Sequence, residues 1–148
     1  MKHKDIYIDE IAENHGRLLE YVCDKGIDVA DFSHKYMESK LKESIDSRSA
    51  YYCTMWFDDQ YEILCKNTAF KKSKTELNGW LCQWVGEFYS IIGCKTGLSS
   101  KELNRILPFD KIYRMAEPLH DIDIDLATDR VIKSLKKEAK IQKEGKRQ

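Results

Sequence analysis

Apolar residues recur at helical spacing along most of the chain. Ile8, Ile11, Leu18, Leu19, Val22 and Cys23 fall on one face of a first helix, and Gly26 stands where a left-handed stop would end it near Asp24. Asp28 predicts the cap of a second helix, which turns Val29, Phe32, Tyr36, Met37, Leu41 and Ile45 inward and leaves Lys35, Glu38, Lys40, Lys42 and Glu43 in water. Its end is blurred by the weak helix formers Ser44, Asp46 and Ser47. Between Ala50 and Asn67 the pattern is aromatic, with Tyr51, Tyr52, Trp56, Phe57 and Tyr61. Asp58 predicts the cap of a short helix through Cys65, and Tyr51 to Met55 form a separate turn or the tail of the preceding helix. A strand at YYCTMWF is the competing reading, disfavoured because no partner run bounded by turn residues lies nearby. Asn67 to Glu76 has no apolar period and predicts a surface loop.

The longest apolar stretch is Asn78 to Pro108. Trp80, Leu81, Trp84, Val85, Phe88, Ile91, Ile92 and Lys95 share one helical face, and Gly97 predicts the stop, with Leu98 placed for the contact that accompanies it. Ser99 and Glu102 form a capping box for the next helix, whose Leu103, Ile106 and Leu107 face the core before Pro108 ends it. A brief helix from Asp110 to about Ala116 runs into Pro118. Asp123 or Asp125 then caps a terminal helix with Leu126, Ala127, Val131, Ile132 and Leu135 inward. Few glycines and prolines and no internal repeat leave strands hard to place. The expectation is an all-α, single compact domain of six or seven helices over residues 1–137, with 138–148 a charged, solvated tail.

Composition narrows the class without naming an activity. A chain of 148 residues is the size of one domain, and 42% hydrophobic against 34% charged residues is too apolar for disorder. Twenty-five cations balance twenty-five anions, which argues against a dedicated nucleic-acid coat or a membrane-surface protein. The N-terminus has no apolar signal region and no run reaches the ~18 apolar residues of a membrane span, so a cytoplasmic protein is expected. Five cysteines without a C-x-x-C pair read as reduced and mostly buried, and His3, His15, His34 and His120 lack metal-ligand spacing. No cofactor is expected.

Four constellations carry chemistry. Asp121, Asp123 and Asp125 resemble the start of a calcium loop, but Leu126 and Ile132 replace the Gly and the Glu that such a loop needs, so helix capping is the better reading. His120 with Asp123 could act as an oriented general base of a small hydrolase or transferase. No nucleophile motif or phosphate loop accompanies them, and a histidine bonded around the Pro118 turn is favoured. The segment IIGCKTGLSSKELNRIL places Gly93, Gly97, Leu98, Leu103 and Ile106 as a helix-turn-helix does; Ser99, Ser100, Lys101, Asn104 and Arg105 would then be the exposed face of a DNA-reading helix. The tail gathers Lys133, Lys136, Lys137, Lys140, Lys143, Lys146 and Arg147 against Glu138 and Glu144, cations suited to a helix C-terminus.

DVADFSHKYMES, QWVGEFY, TGLSSKEL and LHDIDIDLATD occur in this order. Together they resemble an uncharacterised family of short cytosolic proteins, mostly from low-GC Gram-positive bacteria, with a Trp-Ile/Val-Gly helix, a G-x-S-S turn and a closing L-H-x-x-D-x-x-x-A-x-D. The matching positions are Trp84, Val85 and Gly86, then Gly97, Ser99 and Ser100, then Leu119, His120, Asp123, Ala127 and Asp129. The likeness spans about residues 28–132 and is weakest from Tyr51 to Glu76. Members are often encoded beside proteins that look like ADP-ribosyltransferases, in toxin–antitoxin-like arrangements. The resemblance implies a non-enzymatic, antitoxin-like or accessory protein that binds and occludes a neighbouring gene product. Tyr51, Tyr52, Trp56, Phe57 and Tyr61 are its candidate anchors if they are exposed, because aromatic residues dominate interface energetics.

Overall fold

A computed structural model describes residues 5–146 and side chains as far as Lys140, so His3 and the side chains of Lys143, Glu144, Lys146 and Arg147 lie outside the described residues. Among the described residues there are nine α-helices: α1 (Ile8–Asp24), α2 (Val29–Met37), α3 (Lys40–Asp46), α4 (Ala50–Cys53), α5 (Phe57–Asn67), α6 (Gly79–Thr96), α7 (Ser100–Ile106), α8 (Phe109–Leu119) and α9 (Ile124–Lys146). No β-strand is present among them, and the sole β pairing is a bridge between Ile27 and Lys72. The all-α expectation holds; the count of six or seven helices does not.

The additional breaks have local causes. Ser39 adopts an extended ψ of 155° and its hydroxyl accepts the Lys42 N–H, so a cap sits inside what the pattern predicts as one helix and divides it into α2 and α3. Arg48, at φ 61°, occupies the left-handed region and closes α3. Ser49 then starts the single turn of α4, and Trp56, extended at ψ 150°, precedes α5; Asp58 lies in the first turn of that helix rather than at its cap. Pro118 does not stop α8, which continues to Leu119, because a proline in the last turn forfeits only one hydrogen bond. Asp123, not Asp125, caps α9: its carboxylate accepts the Asp125 N–H at 2.8 Å. The predicted tail stays helical as far as Lys146, with exposed side chains from Lys136 to Lys140.

The core is built around α6. Its buried residues, among them Leu81, Cys82, Trp84, Val85, Phe88, Tyr89 and Ile92, surround most of the helix rather than one stripe, as befits a helix enclosed by neighbours. α1 covers one side, α8 and α9 another. The closest crossing is at Gly16 and Gly86: a Cβ on Gly86 would lie 2.6 Å from the His15 carbonyl carbon and oxygen, and one on Gly16 would lie 2.8 Å from the Gln83 carbonyl oxygen. Only hydrogen at both positions lets the two backbones touch.

Several side chains depart from the predicted pattern. Trp80, Ile106 and Leu126, all expected inward, are exposed at the ends of their helices, and Cys94 is exposed although it lies on α6. Lys42, expected in water, is buried: the cap at Ser39 resets the register, so Leu41, Lys42 and Ile45 form the inner face of α3. The loop 68–78 lies on the surface as expected, but it is fastened. Asp28 N–H donates to Lys71 O, Ser73 N–H to Gly26 O and Lys35 Nζ to Ala69 O, and Phe70 packs 4.7 Å from Phe32. No helix among the described residues is long and apolar enough to cross a membrane.

Candidate functional site

The motif residues singled out in the sequence fall at joints of the fold. Trp84 is buried and stacks on Phe88, while Gly86 forms the α1–α6 crossing. Gly97, at φ 74°, ends α6 in the left-handed conformation, and Ser99 with Glu102 completes the capping box of α7. Leu119 is half-buried, Ala127 fully so. Asp129, with Asp125, receives Lys95 from α6: the ammonium also reaches Thr128 Oγ1 and the Asp125 carbonyl, each at 2.8 Å, and so ties α9 to the core helix.

The proposed catalytic pair is not assembled. His120 Nδ1–H donates to Ala116 O at 3.0 Å, its Nε2 lies 3.2 Å from the exposed carboxylate of Asp121, and its ring stands edge-on to Trp80. Asp123, expected to orient it, instead caps α9. No group of three or more histidine, cysteine or carboxylate side chains among the described residues is placed to hold a metal ion.

The expected DNA-reading face is split, with Ser100 and Asn104 turned inward, Lys101 and Arg105 exposed and Ser99 half-buried. Ser100 is buried, with its N–H and hydroxyl both donating to the Asp46 carboxylate at 2.8 Å. Asn104 is buried too, its amide donating to His34 Nδ1 at 2.9 Å and to Glu38 at 3.1 Å. Lys101 faces Glu43 at 3.7 Å, and Arg105 is exposed. One face of α7 is therefore glued to α2 and α3, because Ser100 and Asn104 lie a helical turn apart and meet partners on both. Lys101 and Arg105 alone remain accessible for phosphate contact.

The aromatic segment divides into an outer and an inner set. Tyr51 is 71% exposed and Trp56 46% exposed. Tyr52, Phe57 and Tyr61 are half-buried behind them, with Phe57 and Tyr61 edge-on to Tyr21 of α1. Tyr51 and Trp56, with Met55 and Ile63, line an open groove of about 600 Å³. Asp59 and Glu62 supply carboxylates to its lining and Lys66 a cation. Arg17 of α1 sits 5.5 Å over the Trp56 ring, which fixes the indole at the groove's edge.

A second concavity, of about 540 Å³, lies where the segment before α1, α3, α6 and the start of α7 meet. Lys42 lines it from α3, Ser90 and Cys94 from α6, and Asp5 and Arg48 from the flanking loops. The Arg48 guanidinium is committed, donating to Asp5 at 2.6 and 2.9 Å and to Ile45 O at 3.0 Å. Lys42 is only 3% exposed; its ammonium makes no hydrogen bond among the described residues, is open to the cavity rather than sealed off, and lies 5.5 Å from the centre of the Tyr36 ring. Burial pushes Lys42 down to about 8, opposed by the nearby Asp46. Behind it His15 is sealed between Tyr36 and Tyr89, with Nδ1 3.5 Å from the Ser90 hydroxyl and Nε2 unpartnered. Burial, reinforced by Lys42, holds that imidazole well below the ordinary histidine range and keeps it neutral. The hydrophobic pattern hides this pocket because Lys42 reads as surface; the readable signal is Ser39, three residues before Lys42, where a serine cap is expected.

No protein-family model, curated protein or solved structure matches the chain.

Proposed function

We propose that the protein is a non-enzymatic interaction module that binds its partner through the α4–α5 groove and blocks that partner's own working surface, the antitoxin-like role implied by the family resemblance. The observation that carries this reading is the exposure of Tyr51 and Trp56 in the lining of one groove, with Tyr52, Phe57 and Tyr61 packed against the core beside them. Large rings held by a packed base lose little conformational freedom on binding, which is why such residues dominate interface energetics. Asp58, Asp59 and Glu62 line the exposed side of α5, so the segment received is apolar with flanking cations.

The experiment is co-expression with the product of the adjacent gene. Co-purification and rescue of growth are expected, and Tyr51→Ala with Trp56→Ala should weaken the complex by about 30-fold or more at unchanged helicity. Absence of both co-purification and rescue sinks the proposal.

A further inference from the structure

We infer that the pocket between α3, α6 and α7 is a binding site for a small molecule with one anionic group, a carboxylate or a phosphate monoester, which pairs with the Lys42 ammonium. This site is separate from the α4–α5 groove and does not depend on the function proposed for it.

The argument begins with what is left unsatisfied. A buried ammonium keeps its charge only where hydrogen-bond acceptors or counter-charges replace the water it has lost. Every other basic group near the pocket has such partners: Arg48 has Asp5 and Ile45 O, and Lys101 has Glu43. Lys42 makes no hydrogen bond among the described residues: its ammonium is open to the cavity, and the Asp46 carboxylate acts on it only as a nearby charge. That carboxylate is already engaged by the Ser100 N–H and hydroxyl. The chain thus holds a positive charge in a pocket wall with Asp46, the acid that acts on it, already taking two hydrogen bonds from Ser100. An incoming anionic oxygen within the cavity supplies what is missing.

Shape and charge then narrow the ligand. About 540 Å³ falls in the range of small-molecule sites. Asp5, Glu43, Asp46 and Glu102 all line the cavity, against Lys42 and Arg48 as its cations. Four acids against two bases repel a polyanion, so a nucleotide or polyphosphate is rejected and a single anionic group on an uncharged or cationic body is accepted. The backbone at Arg48, at φ 61°, is further fixed by its side chain's own bond to Ile45 O, which leaves the pocket formed without a ligand.

The test is an NMR titration of the full chain with acetate, inorganic phosphate and pyrophosphate separately, following the amides of Gly93, Cys94, Gly97 and Ser99 and the Lys42 ammonium resonance. Saturable shifts confined to these groups with acetate or phosphate are expected; whichever binds more tightly identifies the head group, and pyrophosphate should bind more weakly than either. Lys42→Met should bind at least about tenfold more weakly, and Lys42→Arg should retain binding within a few fold. Lys42→Met removes a buried charge and is expected to fold. Should it not fold, the ammonium resonance of the native protein still decides the matter. No saturable shift with acetate or phosphate, tighter binding of pyrophosphate, or equal binding by Lys42→Met overturns the inference.

Discussion

Burial presses the Lys42 ammonium toward its neutral form, and the consequence is a stability that depends on pH in a defined window. In the unfolded chain the amine titrates near its ordinary value of 10.5, and in the folded protein near about 8. Between those values the unfolded state binds more protons than the folded one, so stability rises as pH rises from 8 to 10.5. At neutral pH the same displacement costs about 3 kcal/mol, taking about 1.4 kcal/mol per unit. Lys42→Met removes the charge and keeps most of the volume, so at pH 7 it should unfold at higher denaturant concentration than the wild type. That advantage should narrow as pH approaches 10. Buried Tyr36 and Tyr89, whose hydroxyls are raised by burial, lose stability at high pH in both proteins and cancel in the comparison. A constant difference between the two denaturation midpoints from pH 7 to pH 10 would show that the ammonium is not buried.

At the scale of elements, the α1–α6 crossing decides whether the fold closes. Gly86→Ala places a methyl 2.6 Å from backbone atoms of His15 that cannot move without shifting α1, so a loss of about 2–3 kcal/mol, or failure to fold, is expected by thermal unfolding. Gly93→Ala in the same helix is the control. Its Cβ would meet the flexible end of Leu103 at 3.3 Å, and the alanine gains up to ~1 kcal/mol of helix propensity, so it should be nearly neutral. If the two substitutions cost the same, the crossing is looser than its geometry. The periodicity shows that α1 and α6 exist, and it shows the stop at Gly97 and the box at Ser99, because each rests on residues close in sequence. It does not show that Gly16 and Gly86 meet, since that contact joins positions far apart in the chain. Nor does it show the break at Ser39: one hydroxyl competes there with an uninterrupted apolar stripe, and tertiary packing decides. Lys42 follows from that break, which is why the groove was partly legible from its aromatic residues and the pocket was not. Ser100 and Asn104 were misplaced for the opposite reason. Their polarity matches an exposed face, and only the folded chain brings Asp46, Glu38 and His34 against them.

For the molecule as a whole, the two candidate sites stand on different parts of the architecture, and amide exchange can separate them. α6 packs most extensively on α1 and next on α8 and α9, whereas α5 reaches the rest of the structure mainly through α1, and α3 and α7 are held to each other by the Asp46–Ser100 bonds. Local opening follows such differences in packing, since an element with few buried contacts opens without unfolding the core. The central amides of α1 and α6 should therefore exchange most slowly, at the rate of global unfolding. Those of α4, of α5 and of α9 beyond Leu135 should exchange sooner. A partner seated on Tyr51 and Trp56 should slow exchange in α4 and α5 alone. An anion paired with Lys42 bridges α3, α6 and α7, so it should slow exchange in α3 and at the start of α7 while leaving α5 unchanged. If one ligand protects both regions together, the groove and the pocket are coupled through α3 and α4, and partner binding would then be sensitive to the small molecule.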